Sequence, residues 1–250
     1  MVSVSRTSQG CACAVLAFVS GPLLGCQYSR EPVEWRGPIN LDGVVIVQRR
    51  GQEDFCSGAL VSDRLVLTAL HCVRNVGDTG EHGASSFQVG FGTSTYDEET
   101  RWVDVREVLV SDESYAQSVE DLRGSDFALL VLETPVDRTP FPMPVQMPLP
   151  EKDAELVIVG FGEDRYGYVG KKHTTRVTVM EQTENGFAFV GGACRGDSGG
   201  PILDRNGRLV GLISLGTTKH CIPERTRFGQ PLAAFTDFIT DQLLRGDVNN

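Results

Sequence analysis

The chain has 250 residues, of which 40% are hydrophobic and 22% are charged, an ordinary composition for a globular protein of one large or two small domains. Its formal net charge of -10 at pH 7 argues against nucleic acids and anionic membrane surfaces as main partners. The function must therefore be sought in its motifs.

The first 25 residues are predicted to be a signal peptide of the lipoprotein type and are set aside from fold reasoning. Residues 11–24 form a run of apolar and small residues that is too short to remain as a spanning anchor. The run ends in Leu23-Leu24-Gly25-Cys26, which resembles a bacterial lipobox, so cleavage before Cys26 and lipidation of its thiol are expected. Gln27, the residue after Cys26, favours attachment of the lipidated protein to the outer membrane. A leader removed by ordinary signal peptidase, which gives a secreted protein, is the alternative.

The next segment, residues 26–43, is polar and predicts a short tether. From residue 44 the sequence alternates short runs rich in β-branched residues with Gly-, Asp- and Asn-bearing connections, which is typical of antiparallel strands. The expected strands of this half are residues 44–48, 58–62, 65–67, 87–91, 101–110 and 127–132. The acidic stretch at 97–99 is interpreted as a solvated loop rather than as a calcium site.

A proline-rich segment divides the chain, because six of the twelve prolines fall between residues 135 and 150. Such a segment cannot form regular structure and is predicted to be an extended linker. Strand-like runs resume at residues 155–161, 174–180, 187–190, 201–203 and 209–215. After Pro231, apolar residues recur at helical spacing and predict a packing helix: Phe235, Phe238, Ile239 and Leu243.

Residues 194–201 read Cys-Arg-Gly-Asp-Ser-Gly-Gly-Pro. A serine is a weak nucleophile at neutral pH, so a catalytic serine needs a base and needs backbone N–H donors for the oxyanion. Glycines on both sides of Ser198 allow the N–H groups of Gly196 and Ser198 to point at one spot. A Gly-rich turn between two strands is the alternative.

A candidate base is His71, which lies in Thr-Ala-Leu-His-Cys directly after an apolar run. The neighbouring cysteine can pin its loop. The other three histidines lie in polar or loop-like surroundings without such a context: His82, His173 and His220. His71 is therefore the expected general base.

A candidate orienting acid is Asp126, which heads the apolar run at 127–132. A carboxylate at that strand start would be partly buried and suited to fixing an imidazole tautomer. Its rivals, Asp112 and Asp121, do not lead directly into an apolar strand.

Three segments together resemble the chymotrypsin/trypsin superfamily of serine endopeptidases: Thr-Ala-Leu-His-Cys at 68–72, Asp-Phe-Ala-Leu-Leu at 126–130 and Gly-Asp-Ser-Gly-Gly-Pro at 196–201. The order His, Asp, Ser is also that of the superfamily. The resemblance covers about residues 40–244. It implies that Ser198 is the nucleophile, His71 the general base and then acid, and Asp126 the orienting carboxylate, with the N–H groups of Gly196 and Ser198 as the oxyanion hole.

The fold that this resemblance implies is all-β, with two six-stranded antiparallel β-barrels packed together and a C-terminal α-helix. The peptidase domain would span residues 44–245. Its first barrel would occupy about 44–134, the linker 135–150, and the second barrel with the helix 151–245. The catalytic groups would then come from both barrels.

Four cysteines remain once the leader and Cys26 are set aside, and sequence alone allows three pairings. The resemblance selects Cys56 with Cys72 and Cys194 with Cys221. Disulfides need an oxidising compartment, which agrees with export. No Cys-x-x-Cys spacing appears, so no metal is expected, and the implied chemistry needs no cofactor.

The resemblance places the base of the substrate pocket at Gly192 and the strand that pairs with the substrate backbone at Ser214-Leu215-Gly216. A P1 lysine or arginine would need a buried anion, which Gly192 does not supply. With Gly216 opening the entrance and Thr226 narrowing the depth, the expected P1 residue is small to medium and uncharged. An acidic P1 residue is the second interpretation. It depends on three arginines that are expected to be exposed surface charges: Arg195, Arg225 and Arg227.

The activation end departs from the superfamily pattern. Many members are cut to free an Ile-Val-Gly-Gly terminus that pairs with the aspartate before the serine, here Asp197. This chain offers only Ile39-Asn40, so Asp197 has no cationic partner that the sequence identifies. Either another group stabilises the oxyanion loop, or processing after Arg36 does so, or the site is not fully formed.

The expected function is that of a monomeric, exported serine endopeptidase that acts on proteins or peptides, binds no nucleic acid and is held by lipid at Cys26. A catalytically weak, surface-anchored binding protein on the same fold is the main alternative. An esterase is another, since acyl transfer to water is shared chemistry. Periplasmic chaperone-proteases are a more distant relative, because they usually carry Asn at the position of Asp197 and a further peptide-binding module.

Overall fold

The structure is a computed structural model that describes residues 37–74, 83–110, 125–143, 148–164, 166–216 and 221–248. No helix in these ranges is long and apolar enough to cross a membrane. Several predicted features lie outside the described residues: the leader, Cys26, most of the tether with Arg36, His82, Asp112, Asp121 and His220.

The first half of the chain forms a closed six-stranded barrel in which all neighbouring strands are antiparallel. Around the barrel the strands follow the order β1-β2-β3-β6-β5-β4. Their bounds are β1 Val44–Arg49, β2 Phe55–Leu60, β3 Leu65–Thr68, β4 Phe87–Phe91, β5 Arg101–Leu109 and β6 Ala128–Leu132.

The second half forms another closed antiparallel barrel, in the order β10-β11-β12-β9-β8-β7. Its strands are β7 Glu155–Gly160, β8 His173–Thr183, β9 Gly186–Val190, β10 Pro201–Leu203, β11 Leu209–Gly216 and β12 Arg227–Pro231. The predicted all-β architecture of two six-stranded barrels is confirmed.

Alternation along several strands, such as β1, divides their side chains between two apolar cores. In β1, Val45 and Val47 lie in the interior of the first barrel, whereas Val44 and Ile46 belong to a core that also includes residues of the second barrel such as Val159. A third core fills the second barrel. Because β1 is buried on both faces, its sequence is continuously apolar rather than alternating.

Three strands differ from the sequence prediction by more than one residue, and one of them, β8, ends at Thr183, three residues after its predicted end. β2 begins at Phe55, three residues before the predicted start, because Phe55 and Cys56 pair with Gln48 and Val47 of β1. β12 was not predicted, since Arg-Phe-Gly-Gln-Pro shows no apolar alternation. It is nevertheless buried along most of its length and pairs with both β11 and β9.

The described residues of the linker, 135–143 and 148–150, contain no helix or strand. The linker is nonetheless tied to the first barrel, because the backbone N–H of Val136 donates to the Asp63 carbonyl at 2.9 Å and that of Phe141 donates to the Leu60 carbonyl at 2.8 Å. Phe141 is buried in the core shared by the barrels.

The C-terminal helix α1 spans Thr236–Val248 and follows a short 3-10 helix, Leu232–Phe235. The predicted helix therefore begins five residues after Pro231. Phe235 stacks on Phe127 with ring centroids 4.3 Å apart, and Phe238 meets the same ring edge-on at 6.1 Å. The helix thus packs directly behind the residue that follows Asp126.

Candidate active site

His71 lies in a short 3-10 helix, Leu70–Cys72, that begins two residues after β3 ends. Leu70 is buried in the interior core of the first barrel and anchors this turn to that core. Cys72 is bonded to Cys56 of β2, which fixes the turn from the side. His71 is thereby presented at the barrel rim with 21% of its side chain exposed.

Asp126 precedes β6 and is fully buried. Nδ1 of His71 lies 2.9 Å from Oδ2 and 3.1 Å from Oδ1 of Asp126, and the backbone N–H of His71 donates to Oδ1 at 3.0 Å. The Ser214 hydroxyl, from the second barrel, donates to Oδ2. These contacts place the imidazole proton on Nδ1 and leave Nε2 able to accept another.

The two groups stabilise each other's charged forms. Burial alone lowers the pKa of His71, but the charge of Asp126 and its hydrogen bond raise that pKa by more, so it lies above its usual value. Burial alone raises the pKa of Asp126, but His71 and Ser214 lower it by more, so the carboxyl is ionised at neutral pH. The pair can therefore hold a proton transiently on His71.

The serine loop, residues 194–200, is fixed against the first barrel by Ser57 of β2. The Ser57 hydroxyl donates to the Gly196 carbonyl at 2.8 Å and accepts from the Phe161 N–H at 3.0 Å, while the Ser57 N–H donates to the Ser198 carbonyl at 2.8 Å. All of these groups except Ser198 are buried. Ser198 itself is partly exposed.

Gly196 has a φ of +98°, a backbone conformation that residues other than glycine rarely adopt. Among the described residues, no oxygen accepts the N–H of Gly196 or of Ser198. Both N–H groups therefore lack a backbone acceptor among the described residues, which is what the predicted oxyanion hole would require.

Asp197 is fully buried on the other side of the loop. Its Oδ1 accepts the Gly162 N–H at 2.9 Å and its Oδ2 accepts the Cys194 N–H at 2.8 Å. A Cβ on Gly162 would stand 2.6 Å from this carboxyl, so the pocket for Asp197 requires glycine there.

Asp197 also has a close partner that the sequence did not identify, and this agrees with the alternative in which another group stabilises the loop. Nε2 of His173 lies 3.2 Å from Oδ1 of Asp197, and only 12% of the His173 side chain is exposed. His173 opens β8 and pairs with Gly160 of β7, so its surroundings are neither loop-like nor polar throughout. The sequence could not show this contact, because it depends on the register between two strands.

The cysteines are bonded as the resemblance implied, Cys56 to Cys72 and Cys194 to Cys221. The sulfur atoms of the first pair lie close to His71, but each is used in the disulfide and offers no thiolate to a metal. The second disulfide ties the serine loop to the segment that precedes β12.

The predicted pocket residues have mixed roles. Gly192 has a φ of +93° and faces Pro223, and Leu215 packs on the core of the first barrel. Ser214 gives its hydroxyl to Asp126. Gly216 does not open onto empty space, because a Cβ there would stand 2.8 Å from the side chain of Arg227.

Arg227 corrects one expectation, since only 4% of it is exposed. Its Nε donates to the Ala193 carbonyl at 2.7 Å and its Nη1 to the Thr226 carbonyl at 3.2 Å. Arg195 and Arg225 are exposed as expected. A buried guanidinium therefore lies beside Gly216, where an open pocket entrance and an exposed arginine were predicted.

Sequence reasoning thus missed three residues that shape the site: Ser57, His173 and Arg227. Ser57 follows a disulfide cysteine, which was the only local signal for it. Arg227 lies in the strand that was not predicted.

Comparisons with known proteins cover this whole region. The sequence model of the family described as Trypsin matches residues 38–239. A trypsin of Phaedon cochleariae is 27% identical over 214 residues, which cover 75% of this chain and 78% of that protein. A trypsin of Sarcophaga bullata is 28% identical over 200 residues, with coverage of 69% and 73%. A solved structure, human heparin binding protein, is similar with a TM-score of 0.66 at 20% identity, over 82% of this chain and 93% of that one, which shows the fold alone.

Proposed function

The chain belongs to the trypsin family of serine endopeptidases, and on that premise we propose that it hydrolyses peptide bonds of proteins or peptides through Ser198, His71 and Asp126. The observation that carries the proposal is the buried Asp126, which holds Nδ1 of His71 with both of its oxygens. That contact fixes the tautomer in which Nε2 can act as a base.

The chemistry proceeds in two acyl transfers. The hydroxyl oxygen of Ser198 attacks the scissile carbonyl carbon while Nε2 of His71 takes the hydroxyl proton, and the resulting oxyanion is met by the N–H groups of Gly196 and Ser198. The C–N bond then breaks as His71 returns its proton to the leaving amine. Water, deprotonated by the same imidazole, hydrolyses the acyl-enzyme and restores Ser198.

A binding protein on the same fold is the competing function. The geometry disfavours it, because such a protein would not need a fully buried carboxylate on His71 or two available N–H donors beside Ser198. The similar solved chain is named for heparin binding. A net charge of -10 disfavours that kind of polyanionic ligand here.

A fluorescent phosphonate, which reacts only with an activated serine, tests the proposal. We expect the full chain to be labelled, the Ser198→Ala variant to show no labelling, and the labelled chain to lose hydrolysis of a casein substrate. Labelling that persists in Ser198→Ala, or a folded wild-type chain that neither labels nor cleaves, would refute the proposal. A chain that labels and cleaves only carboxylic esters would be an esterase.

The substrate preference at P1 has two candidates. The sequence argues for a small to medium uncharged residue at a pocket that includes Gly192, Gly216 and Thr226. The buried guanidinium of Arg227, beside Gly216 and Ala193, favours an acidic P1 residue, because it would attract a substrate carboxylate. Both candidates exclude P1 lysine and arginine, whose desolvated charge would meet a cation.

Substrates that differ only at P1 decide between these candidates. If Arg227 sets the preference, Asp and Glu substrates are cleaved faster than Ala, Val and Leu substrates, and Arg227→Gln reverses that order. If the pocket is simply small, Ala and Val lead in both proteins. Arg225→Gln, which removes an exposed charge nearby, is the matched control and is expected to leave either order unchanged.

Export and lipid attachment at Cys26 belong to the proposal as well, and they rest on the leader sequence alone. Metabolic labelling with a palmitate analogue is expected to mark the wild-type chain and not Cys26→Ser. Release of unlabelled wild-type protein into the medium would favour the secreted alternative.

A further inference from the structure

The buried carboxylate of Asp197 takes no part in the reaction proposed for Ser198, His71 and Asp126. Asp197 is the residue between the two oxyanion donors, Gly196 and Ser198, and it is fully buried. Two backbone N–H groups, of Gly162 and Cys194, bind its oxygens. A buried carboxylate is costly without a positive charge close by, so the loop's conformation depends on what supplies that charge.

We propose that protonated His173 is the positioning residue that holds Asp197, and through it the Gly196–Ser198 loop, in the catalytic conformation, so that activity needs no newly cut N-terminus. This inference rests on the proposed peptidase function. It is carried by the 3.2 Å distance between Nε2 of His173 and Oδ1 of Asp197, and by the burial of both side chains.

The contact is close enough for an ion pair, although it falls outside hydrogen-bond geometry. Nε2 of His173 has no partner in hydrogen-bond geometry among the described residues, although the carboxylate oxygen is close. Its other nitrogen, Nδ1, lies 3.4 Å from the Thr175 hydroxyl. Because a neutral imidazole carries no charge, deprotonation of His173 would leave the buried Asp197 carboxylate without this compensating cation.

The wider surroundings supply charges of both signs. Burial lowers the pKa of His173, but Asp197 with the Gly162 carbonyl and Asp164 raise it by more, so the pKa lies above its usual value. One edge of the ring borders a cavity of about 590 Å³ through which protons can exchange with solvent. The charged groups that face this space are Asp42, Asp97, Glu99, Arg138 and Lys172.

The inference predicts a bell-shaped dependence of kcat/KM on pH. His71 must be neutral to accept a proton, so activity is lost as pH falls through its pKa. His173 must be protonated to hold the loop, so activity is lost as pH rises through its pKa. The alkaline limb therefore belongs to His173.

Lys172 is the rival for that limb. Burial lowers its pKa to about 8, and its Nζ donates to the Leu41 carbonyl at 2.7 Å. It lines the same cavity as His173. Lys172→Gln is therefore the matched control, because it removes a neighbouring titrating cation and leaves the Asp197 contact intact.

The experiment compares the full wild-type chain with His173→Gln, His173→Lys and Lys172→Gln, and measures phosphonate labelling, kcat and KM across pH. We expect His173→Gln to lower kcat and kcat/KM by a similar factor, on the order of 10–100-fold, because a transition-state contact is weakened. His173→Lys should restore most of the activity and move the alkaline limb upward by on the order of 2 pH units or more. Lys172→Gln should leave the limb in place.

An alkaline limb that stays fixed in His173→Lys and moves in Lys172→Gln would overturn the inference. So would a wild-type chain that is labelled only after cleavage near Arg36. If neither His173 variant folds, nitrogen NMR of the wild-type imidazoles decides, because the His173 signal must titrate together with the alkaline limb. Ser198→Ala separates the two failures: if it abolishes hydrolysis while the His173 results are negative, the peptidase proposal stands and this inference does not.

Discussion

The molecule contains two His–Asp pairs, His71 with Asp126 at the first barrel and His173 of the second barrel with Asp197 of the serine loop. In both pairs the carboxylate is fully buried. The side chain of His71 is 21% exposed and that of His173 is 12% exposed. They differ in alignment. Nδ1 of His71 is hydrogen bonded to both oxygens of Asp126, whereas Nε2 of His173 approaches Asp197 without hydrogen-bond geometry.

This difference separates two uses of the same residue types. A directed hydrogen bond fixes which nitrogen carries the proton, and this is what a general base requires. A close but undirected contact provides charge, and this is what a buried carboxylate in a loop requires. In the mechanism that we propose, the first pair works with a neutral imidazole and the second with a protonated one, so one protein would need two histidines in opposite protonation states.

The largest effect should come from the directed pair. Asp126→Asn keeps the size of the side chain but favours the wrong His71 tautomer, and we expect kcat to fall by about 10⁴-fold. The measurement is kcat with a peptide substrate beside near-UV circular dichroism. A folded variant with kcat within about tenfold of wild type would contradict the role given to Asp126.

The next effect concerns the residue that ties the loop to the first barrel. Ser57→Ala removes the bonds to the buried Gly196 carbonyl and Phe161 N–H, each of which costs about 1–3 kcal/mol when left unpaired. Urea unfolding should show this loss, and phosphonate labelling should slow. Ser94→Ala, whose hydroxyl accepts one exposed N–H at 3.1 Å, is the control and should change neither.

The contact between His173 and Asp197 can be disturbed without substituting either residue. Gly162→Ala places a methyl group 2.6 Å from the Asp197 carboxyl, and we expect about 1–3 kcal/mol of lost stability together with slower labelling. Gly83→Ala is the control, because the nearest atom to its new Cβ is 3.8 Å away. Equal effects of the two changes would show that the Asp197 pocket is not tight.

The smallest effect is the dependence of stability on pH. Both histidines have a raised pKa, so each pair adds stability that is fully present below the unfolded-state pKa of about 6.5 and is lost as pH rises through the folded-state value. The free energy of unfolding should therefore decline as pH rises above about 6.5. The free energy of unfolding of His173→Gln should decline less steeply with pH than that of the wild type. An unchanged slope would show that His173 does not contribute to this pH dependence.

The sequence predicted what is local and missed what depends on register. His71, Asp126 and Ser198 each lie in a contiguous motif, and the family resemblance of these motifs implied the two-barrel fold. The contact of His173 with Asp197 could not be predicted, because it depends on how β8 pairs with β7. Arg227 was misjudged for a similar reason, since β12 shows no apolar alternation and its burial comes from neighbouring strands.

The stacking of Phe235 on Phe127 has a consequence for biosynthesis. A ribosome makes the chain from its N-terminus, so the segments that contain His71, Asp126 and Ser198 are all produced before the residues that pack behind Asp126. A nascent chain can hold every catalytic group and still lack the support for its carboxylate. The order of translation thus delays the assembly of a complete peptidase until the helix at Thr236–Val248 has emerged.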